Sequence, residues 1–279
     1  MFEKVIGHDE QKEILSNDIS QGRVSHAYAF VGPSGIGKKM LAREFAKKLL
    51  KVDDLDVAID YKQISKVDGK KNILIEQIRR DIVDDVYIAP AAGDYKVYVV
   101  DDADFLNEES QNALLKTLEE PPSYVCIILV TENLQKFLPT IVSRVKQVTF
   151  SKLSDNYVEK YCNIKNLDIL LDNEMKLYID GSIGKLASLN DKDNYELFKL
   201  TEKLVETLKH KEELNSIKML ENINLKTTNV LEYLEYLLYY NNLYKCIFEI
   251  ERAKAKLQYN GNEDIVKTIM AVNICRKEK

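Results

Sequence analysis

The sequence has no tryptophan, few cysteines and only five prolines among its 279 residues. All five prolines lie at or before Pro139, and the long stretch from Phe150 to Lys279 has none. Because proline interrupts helices and central strands, its absence there favours long uninterrupted helices. That stretch also lacks strand-like alternation, and its Leu, Tyr, Lys and Glu residues recur at helical spacing. We therefore expect it to be all helix.

The four cysteines are too dispersed for a metal or redox site. Cys126, Cys162, Cys246 and Cys275 form no Cys-x-x-Cys pair, which is the usual signature of structural zinc or of a thiol redox motif. We expect no metal, and no zinc in particular. The cysteines fit small buried apolar residues in a reducing compartment.

Two further absences limit the partners. The 40 Lys and Arg residues are outnumbered by 45 Asp and Glu residues, for a net charge of -5, so there is no overall electrostatic attraction to nucleic acid. Contact with DNA should therefore be local or made through other proteins. The first residues are charged rather than signal-like, and no apolar run approaches the ~20 residues of a membrane helix. We expect a cytoplasmic protein without membrane contact.

The first 150 residues alternate apolar runs with amphipathic stretches, which is typical of a parallel α/β sheet with crossover helices. Four runs predict buried strands: AYAFV from Ala27, KVYVV from Lys96, VCIILVT from Val125 and VKQVTF from Val145.

The intervening stretches predict helices. One covers NILIEQIRRDIVDDV at 72–86, and another covers NEESQNALLKTLEE at 107–120 with Asn107 as its N-cap. In the helical remainder, the best break lies at 181–194. We predict an α/β domain at 1–150, a small helical domain at 151–190 and a helical bundle at 191–279.

The segment GPSGIGKK follows the first predicted strand and precedes a predicted helix. It matches the phosphate-loop pattern G-x-x-x-x-G-K-[ST] at every position but the last, where Lys39 replaces the hydroxyl that ligates Mg²⁺. Backbone amides of such a loop and of the helix N-terminus form an anion site, and Lys38 can reach the outer phosphates. The candidate phosphate-contacting residues are Gly32, Ser34, Gly35, Gly37, Lys38 and Lys39.

Acidic residues follow the next central strand, in VYVVDDAD. The carboxyl end of this strand should direct Asp101 and Asp102 toward the phosphate loop. Asp102 is one methylene shorter than the glutamate that polarises water in working enzymes of this type, and an ordinary acidic turn is the alternative interpretation. Thr131, at the end of the third predicted strand, fits either a nucleotide-sensing position or a strand-end cap.

These motifs together resemble a known family. The segments at 5–49 and 86–145, and above all NALLKTLEEPP at 112–122, are similar to the AAA+ module of bacterial DNA polymerase III clamp-loader subunits. The resemblance extends to GSIGKLASL at 181–189, whereas the C-terminal part matches in helical character only. It implies an α/β AAA+ domain, a helical lid and a helical collar that joins five subunits.

Within that family, gamma/tau subunits hydrolyse ATP and the delta-prime subunit does not. Gamma/tau chains end the loop in Thr or Ser, follow the strand with Asp-Glu and begin the lid helix with G-S-x-R. This sequence has Lys39, Asp102 and, in the lid, Gly184 followed by Lys185. Three departures around one nucleotide therefore make the delta-prime subunit the nearest match.

The segment TIVSRV at 140–145 resembles the family's S-R-C segment, with valine in place of cysteine. The resemblance implies that Arg144 is a finger that reaches the ATP of a neighbouring gamma/tau subunit, a role that suits a planar and permanently charged guanidinium. An arginine paired locally at a helix end is the alternative.

The resulting hypothesis is a delta-prime subunit that does not itself hydrolyse ATP, supports assembly of the loader and supplies Arg144 in trans. The implied partners are gamma/tau and delta subunits, and, through the complex, the sliding clamp and primed DNA. No cofactor is required, and the sequence leaves open whether the loop retains ATP, ADP or phosphate. The alternatives are an active gamma/tau-like ATPase and a regulator that binds nucleotide as a structural ligand.

Overall fold

The computed structural model describes residues 1–67, 70–165, 173–189, 192–210, 213–223, 230–258 and 261–277. These residues form two compact units, 1–161 and 162–279. The first unit is built on a parallel sheet, and the described secondary structure of the second consists of helices and turns. The predicted division at 151–190 and 191–279 stays a prediction.

All five strands of the first unit run parallel, in the order β2-β3-β4-β1-β5. They are β1 (Ala27–Val31), β2 (Tyr61–Ile64), β3 (Lys96–Val100), β4 (Val125–Thr131) and β5 (Lys146–Thr149). Four of them coincide with the predicted runs. The sequence did not predict β2, because YKQI is a short edge strand in which Ile64 is the one buried residue.

Six helices accompany this sheet. They are α1 (Asp9–Ser20), α2 (Lys38–Leu50), α3 (Ile75–Ile78), α4 (Glu108–Glu119), α5 (Pro139–Val142) and α6 (Asp155–Lys165). The helix predicted at 72–86 is shorter than expected, since α3 passes into a π-helical turn over Arg79–Val83. Its apolar residues Ile78, Ile82 and Val86 are nevertheless fully buried.

Alternation along each strand buries both faces of the sheet. On one face Tyr28 and Phe30 of β1 pack with Leu41 and Phe45 of α2. On the other face Ala27 and Ala29 join the cluster formed with α4 and with the helical segment at 75–83. Covering both faces explains why the central strands are continuous apolar runs.

The second unit contains α7 (Asn173–Ile179), α8 (Ile183–Leu189), α9 (Lys192–Lys209), α10 (Glu213–Asn222), α11 (Val230–Tyr240), α12 (Tyr244–Gln258) and α13 (Glu263–Lys277). A buried aromatic cluster joins α7, α9 and α11, with ring centroids of Tyr178 and Phe198 lying 4.7 and 4.8 Å from that of Tyr233. The break predicted at 181–194 contains α8. Across the described ranges, every helix is too short or too polar to cross a bilayer.

The N-cap of α4 gives a direct test of the helix assignment. The Asn107 side chain accepts a hydrogen bond of 2.9 Å from the Ser110 amide, so Asn107→Ala should lower the free energy of unfolding by about 1 kcal/mol. Urea denaturation followed by circular dichroism measures the loss. Asn17→Ala, at an exposed site inside α1, is the control and should cost nothing, because alanine has the higher helix propensity. Equal losses in the two variants would contradict the capping role.

Candidate nucleotide site

The site lies at the carboxyl edge of the sheet, where three central strands end together. Gly32 follows β1, Asp101 follows β3, and Thr131 ends β4, which pairs with both of the others. The Gly32 amide donates a hydrogen bond of 3.2 Å to the Thr131 carbonyl. Ligands of open α/β sheets bind at such an edge.

The phosphate loop adopts a conformation that requires glycine at specific positions. Gly35 and Gly37 have φ of 70° and 107°, in the region that side chains with a Cβ rarely adopt. A Cβ on Gly32 would lie 2.4 Å from the Phe150 carbonyl oxygen. The exposed Ser34 precedes these turns, and α2 begins without a side-chain cap, so its first-turn amides are available to an anion.

Lys38 is buried and turned back onto the loop. Its Nζ donates hydrogen bonds to the carbonyl oxygens of Gly32 at 2.6 Å and of Pro33 at 2.5 Å. Burial lowers the pKa of Lys38, against the opposing effect of nearby carboxylates. Lys38 therefore braces the loop in this structure, and a phosphate would have to draw it away from two carbonyls.

Lys39 pairs with the first acidic residue. Its Nζ lies 2.6 Å from Asp101 Oδ2, with the Asp101 side chain 10% exposed and that of Lys39 50% exposed. The other carboxylate oxygen, Oδ1, accepts a hydrogen bond of 3.1 Å from the Asp102 amide. These residues do not fit the Mg²⁺ that this fold class uses. The Lys39 ammonium pairs with the carboxylate oxygen that would face the ion, and position 39 carries no hydroxyl that could bind it.

Asp102 takes a left-handed backbone conformation with φ of 49°. Partial burial and the neighbouring Asp101 carboxylate raise the pKa of Asp102. The next acidic residue, Asp104, accepts a hydrogen bond of 2.8 Å from the Glu132 amide and so joins the segments after β3 and β4. Within the acidic run, Asp104 therefore has a structural role, whereas Asp101 pairs with Lys39 of the phosphate loop.

Thr131 is fully buried, and its hydroxyl is engaged locally. Oγ1 accepts from the Asn133 amide at 3.2 Å and donates to the Asn133 carbonyl at 3.4 Å. These are the contacts of a strand-end cap, which was one of the two interpretations of this position.

His8 was not predicted as part of the site, yet it contacts the phosphate loop. Its Nε2 donates to the Ile36 carbonyl at 2.7 Å, and its ring packs edge-on against Phe150. Burial lowers the pKa of His8, so that the neutral form is favoured. The only signal in the sequence was a histidine between glycine and a helix start, which does not reveal a contact made 28 residues away.

Arg144 lies just beyond α5 and is partly exposed. One guanidinium nitrogen donates to the Thr140 carbonyl at 2.9 Å and to Ser143 Oγ at 3.2 Å, and the other lies 3.1 Å from Glu119 Oε1. These are the local contacts of the alternative interpretation. Because exposed ion pairs contribute only about 0–1 kcal/mol, they leave the guanidinium able to change partners.

Gln111 was also missed, and it positions the segment that leads to Arg144. The buried side chain donates from Nε2 to the carbonyls of Leu106 and Lys136 at 3.0 Å each, and its Oε1 accepts from the Leu138 amide at 2.8 Å. The signal was a polar residue within a largely apolar helix face.

In the second unit Gly184 lies in the first turn of α8, and Lys185 pairs with Glu232 at 2.7 Å. No group of three or more His, Cys, Asp or Glu side chains within the described ranges could hold a metal ion.

The sequence is similar to those of known DNA polymerase III subunits. The profile of a family described as "DNA polymerase III, delta subunit" matches residues 7–154. The DNA polymerase III subunit tau of Escherichia coli K12 is 38% identical over 159 residues, covering 52% of this chain and 25% of that protein. The tau subunit of Bacillus subtilis 168 is 34% identical over 203 residues, covering 68% of this chain and 35% of that protein.

A solved structure has the same fold. The gamma-subunit-related protein of DNA polymerase III from Thermotoga maritima aligns over 97% of this chain and all of its own, with a TM-score of 0.59 and 18% identity. The chain spans about a third of the length of the first curated relatives that it matches.

The parallel sheet and its phosphate loop define an α/β domain of the AAA+ class. Since the family profile covers more than half of its length, the chain belongs to the DNA polymerase III clamp-loader family. The family resemblance and the fold class inferred from the sequence are confirmed.

The contact of His8 with the loop predicts a pH dependence. Because the pKa of His8 is lowered in the folded chain, the unfolded chain takes up the proton first, and stability is lost as pH falls below the ordinary histidine value. His8→Asn, which tolerates the left-handed backbone at this position, should lose less stability than wild type between about pH 7.5 and about pH 5.5.

Urea unfolding at the two pH values measures this difference. The charged groups that act on His8 are Asp9, Lys12 and Lys38, and all are unchanged in the variant. The exposed His210 provides the matched control, since His210→Asn should keep the wild-type slope. The same slope in wild type and His8→Asn would rule out the assigned role of His8.

Proposed function

We propose that this chain is a clamp-loader subunit of the delta-prime kind, which does not hydrolyse ATP itself. The observation that carries the proposal is the ion pair of 2.6 Å between Lys39 and Asp101. At the two positions that hold the metal in a working site of this type, a lysine replaces the hydroxyl and pairs with the aspartate. The neighbouring Asp102, engaged through its backbone amide and lacking one methylene of glutamate, adds to the loss.

The contribution of such a subunit to clamp loading is then structural and made in trans. Its α/β unit presents Arg144 beyond α5, held by weak surface contacts to Glu119 and Thr140. Exchange of those contacts for the phosphates of a neighbouring gamma/tau subunit requires little free energy. The proposed partners are gamma/tau and delta subunits, with the sliding clamp and primed DNA reached through the assembled loader.

A second candidate function is an active gamma/tau-like ATPase. The identity to tau subunits favours it, and Lys39 is half exposed and therefore able to leave Asp101. The two candidates differ in one consequence, which is whether the chain alone turns over ATP.

Replacement of Arg144 tests the role in trans. In a loader reconstituted with gamma/tau and delta subunits, Arg144→Ala should lower hydrolysis at the adjacent ATP site about 10³-fold or more, because the developing charge on the phosphoryl group loses its planar cation. The complex should lose that site's share of ATP turnover, measured with clamp and primed DNA present. Arg144→Lys should not restore it, since lysine lacks the fork of donors.

Glu119→Gln is the matched control, because it breaks the local pair but retains the guanidinium. It should leave turnover unchanged. Size-exclusion chromatography should show intact assembly for all three variants. Normal turnover by the Arg144→Ala complex, or an equal loss in Glu119→Gln, would show that Arg144 has a local structural role only.

A further inference from the structure

Both oxygens of the Asp101 carboxylate are engaged within the chain. Oδ2 lies 2.6 Å from Lys39 Nζ, and Oδ1 accepts the Asp102 amide at 3.1 Å. The carboxylate is largely buried, whereas Lys39 approaches it from the second position of α2 with half of its side chain in solvent. The cation that pairs with this carboxylate is thus a lysine side chain of the same protein.

A divalent ion would need the same oxygen. Mg²⁺ binds oxygen ligands at about 2.0–2.1 Å in a strict octahedron, so an ion on Oδ2 would lie beside the ammonium, and the two positive charges would repel. The hydroxyl of Thr131 and one oxygen of Asp104 are committed to the backbone of Asn133 and Glu132. An ion that binds Oδ2 of Asp101 could therefore enter only by displacing Lys39.

We infer that Lys39 is a built-in cation that excludes divalent metal from this phosphate loop, so that threonine at this one position creates a metal-dependent nucleotide site. The inference rests on the proposed function only in treating Gly32–Lys39 as an inherited nucleotide loop. It adds which side chain disables the site, and by what means.

The experiment compares ADP binding by the full chain in EDTA and in Mn²⁺, measured by calorimetry. In Lys39→Thr, Mn²⁺ should tighten ADP binding by about tenfold or more, whereas in wild type the change should stay within about twofold. Absence of measurable ADP binding by wild type in both conditions is the same result, since metal then brings no gain. Water-proton relaxation with Mn²⁺ and ADP should report a protein-bound ion in Lys39→Thr alone.

Two further variants give the test its controls. Lys48→Thr removes an exposed lysine of the same helix and should behave as wild type. The double variant Lys39→Thr/Asp101→Asn should lose the response to Mn²⁺. Circular dichroism establishes that each variant is folded, and Lys39→Ser, which also supplies a hydroxyl, replaces the threonine variant if that one fails to fold.

Two results would overturn the inference. One is a gain of about tenfold with Mn²⁺ in wild type that Asp101→Asn abolishes, because the metal would then bind despite Lys39. The other is the absence of a Mn²⁺ response in the folded hydroxyl variant, which is Lys39→Thr or, where that one does not fold, Lys39→Ser. Either result is distinct from failure of the proposed function, which is measured through Arg144 in the assembled loader.

Discussion

The parallel pairing of β4 with both β1 and β3 places every element of the candidate site. Strands of a parallel sheet end at the same edge, so this pairing puts the phosphate loop after β1 beside the acidic turn after β3. The register sets Val31 opposite Thr131 and Val100 opposite Leu129. The ion pair between Lys39 and Asp101 depends on that arrangement, since it brings the start of α2, which follows β1, and the end of β3 to the same edge of the sheet on either side of β4.

The site retains the shape of a nucleotide loop, and its two lysines are engaged within the chain. Lys38 bonds to the carbonyls of its own loop, and Lys39 pairs with Asp101. The glycine conformations and the uncapped start of α2 are features of the backbone at the edge of the sheet. Gly32 has no room there for a side chain beside Phe150. The backbone conformation of the loop is thus kept although position 39 carries a lysine in place of a hydroxyl.

Much of this architecture could be predicted from the sequence. The sheet is buried on both faces, and β1, β3 and β4 are therefore continuous apolar runs. The edge strand β2 gave no such signal, and the helix expected at 72–86 turned into a π-helical segment that keeps the same buried isoleucines. Position 39 was recognised from its departure from the loop pattern. Its pairing with Asp101, the contact of His8 with Ile36 and the bonds of Gln111 depend on tertiary distances, which spacing along the chain does not reveal.

We propose that this chain, although folded as an AAA+ domain, does not hydrolyse ATP. The most direct measurement is ATP turnover by the isolated chain in Mg²⁺, with Lys38→Ala as the reference for contaminating activity. We expect the two rates to be equal, because Lys39 pairs with the Asp101 oxygen that would face Mg²⁺ and supplies no hydroxyl to bind the ion. Turnover near the ordinary enzymatic range of about 1 s⁻¹ or more, abolished in Lys38→Ala, would contradict the account and favour an active gamma/tau-like subunit.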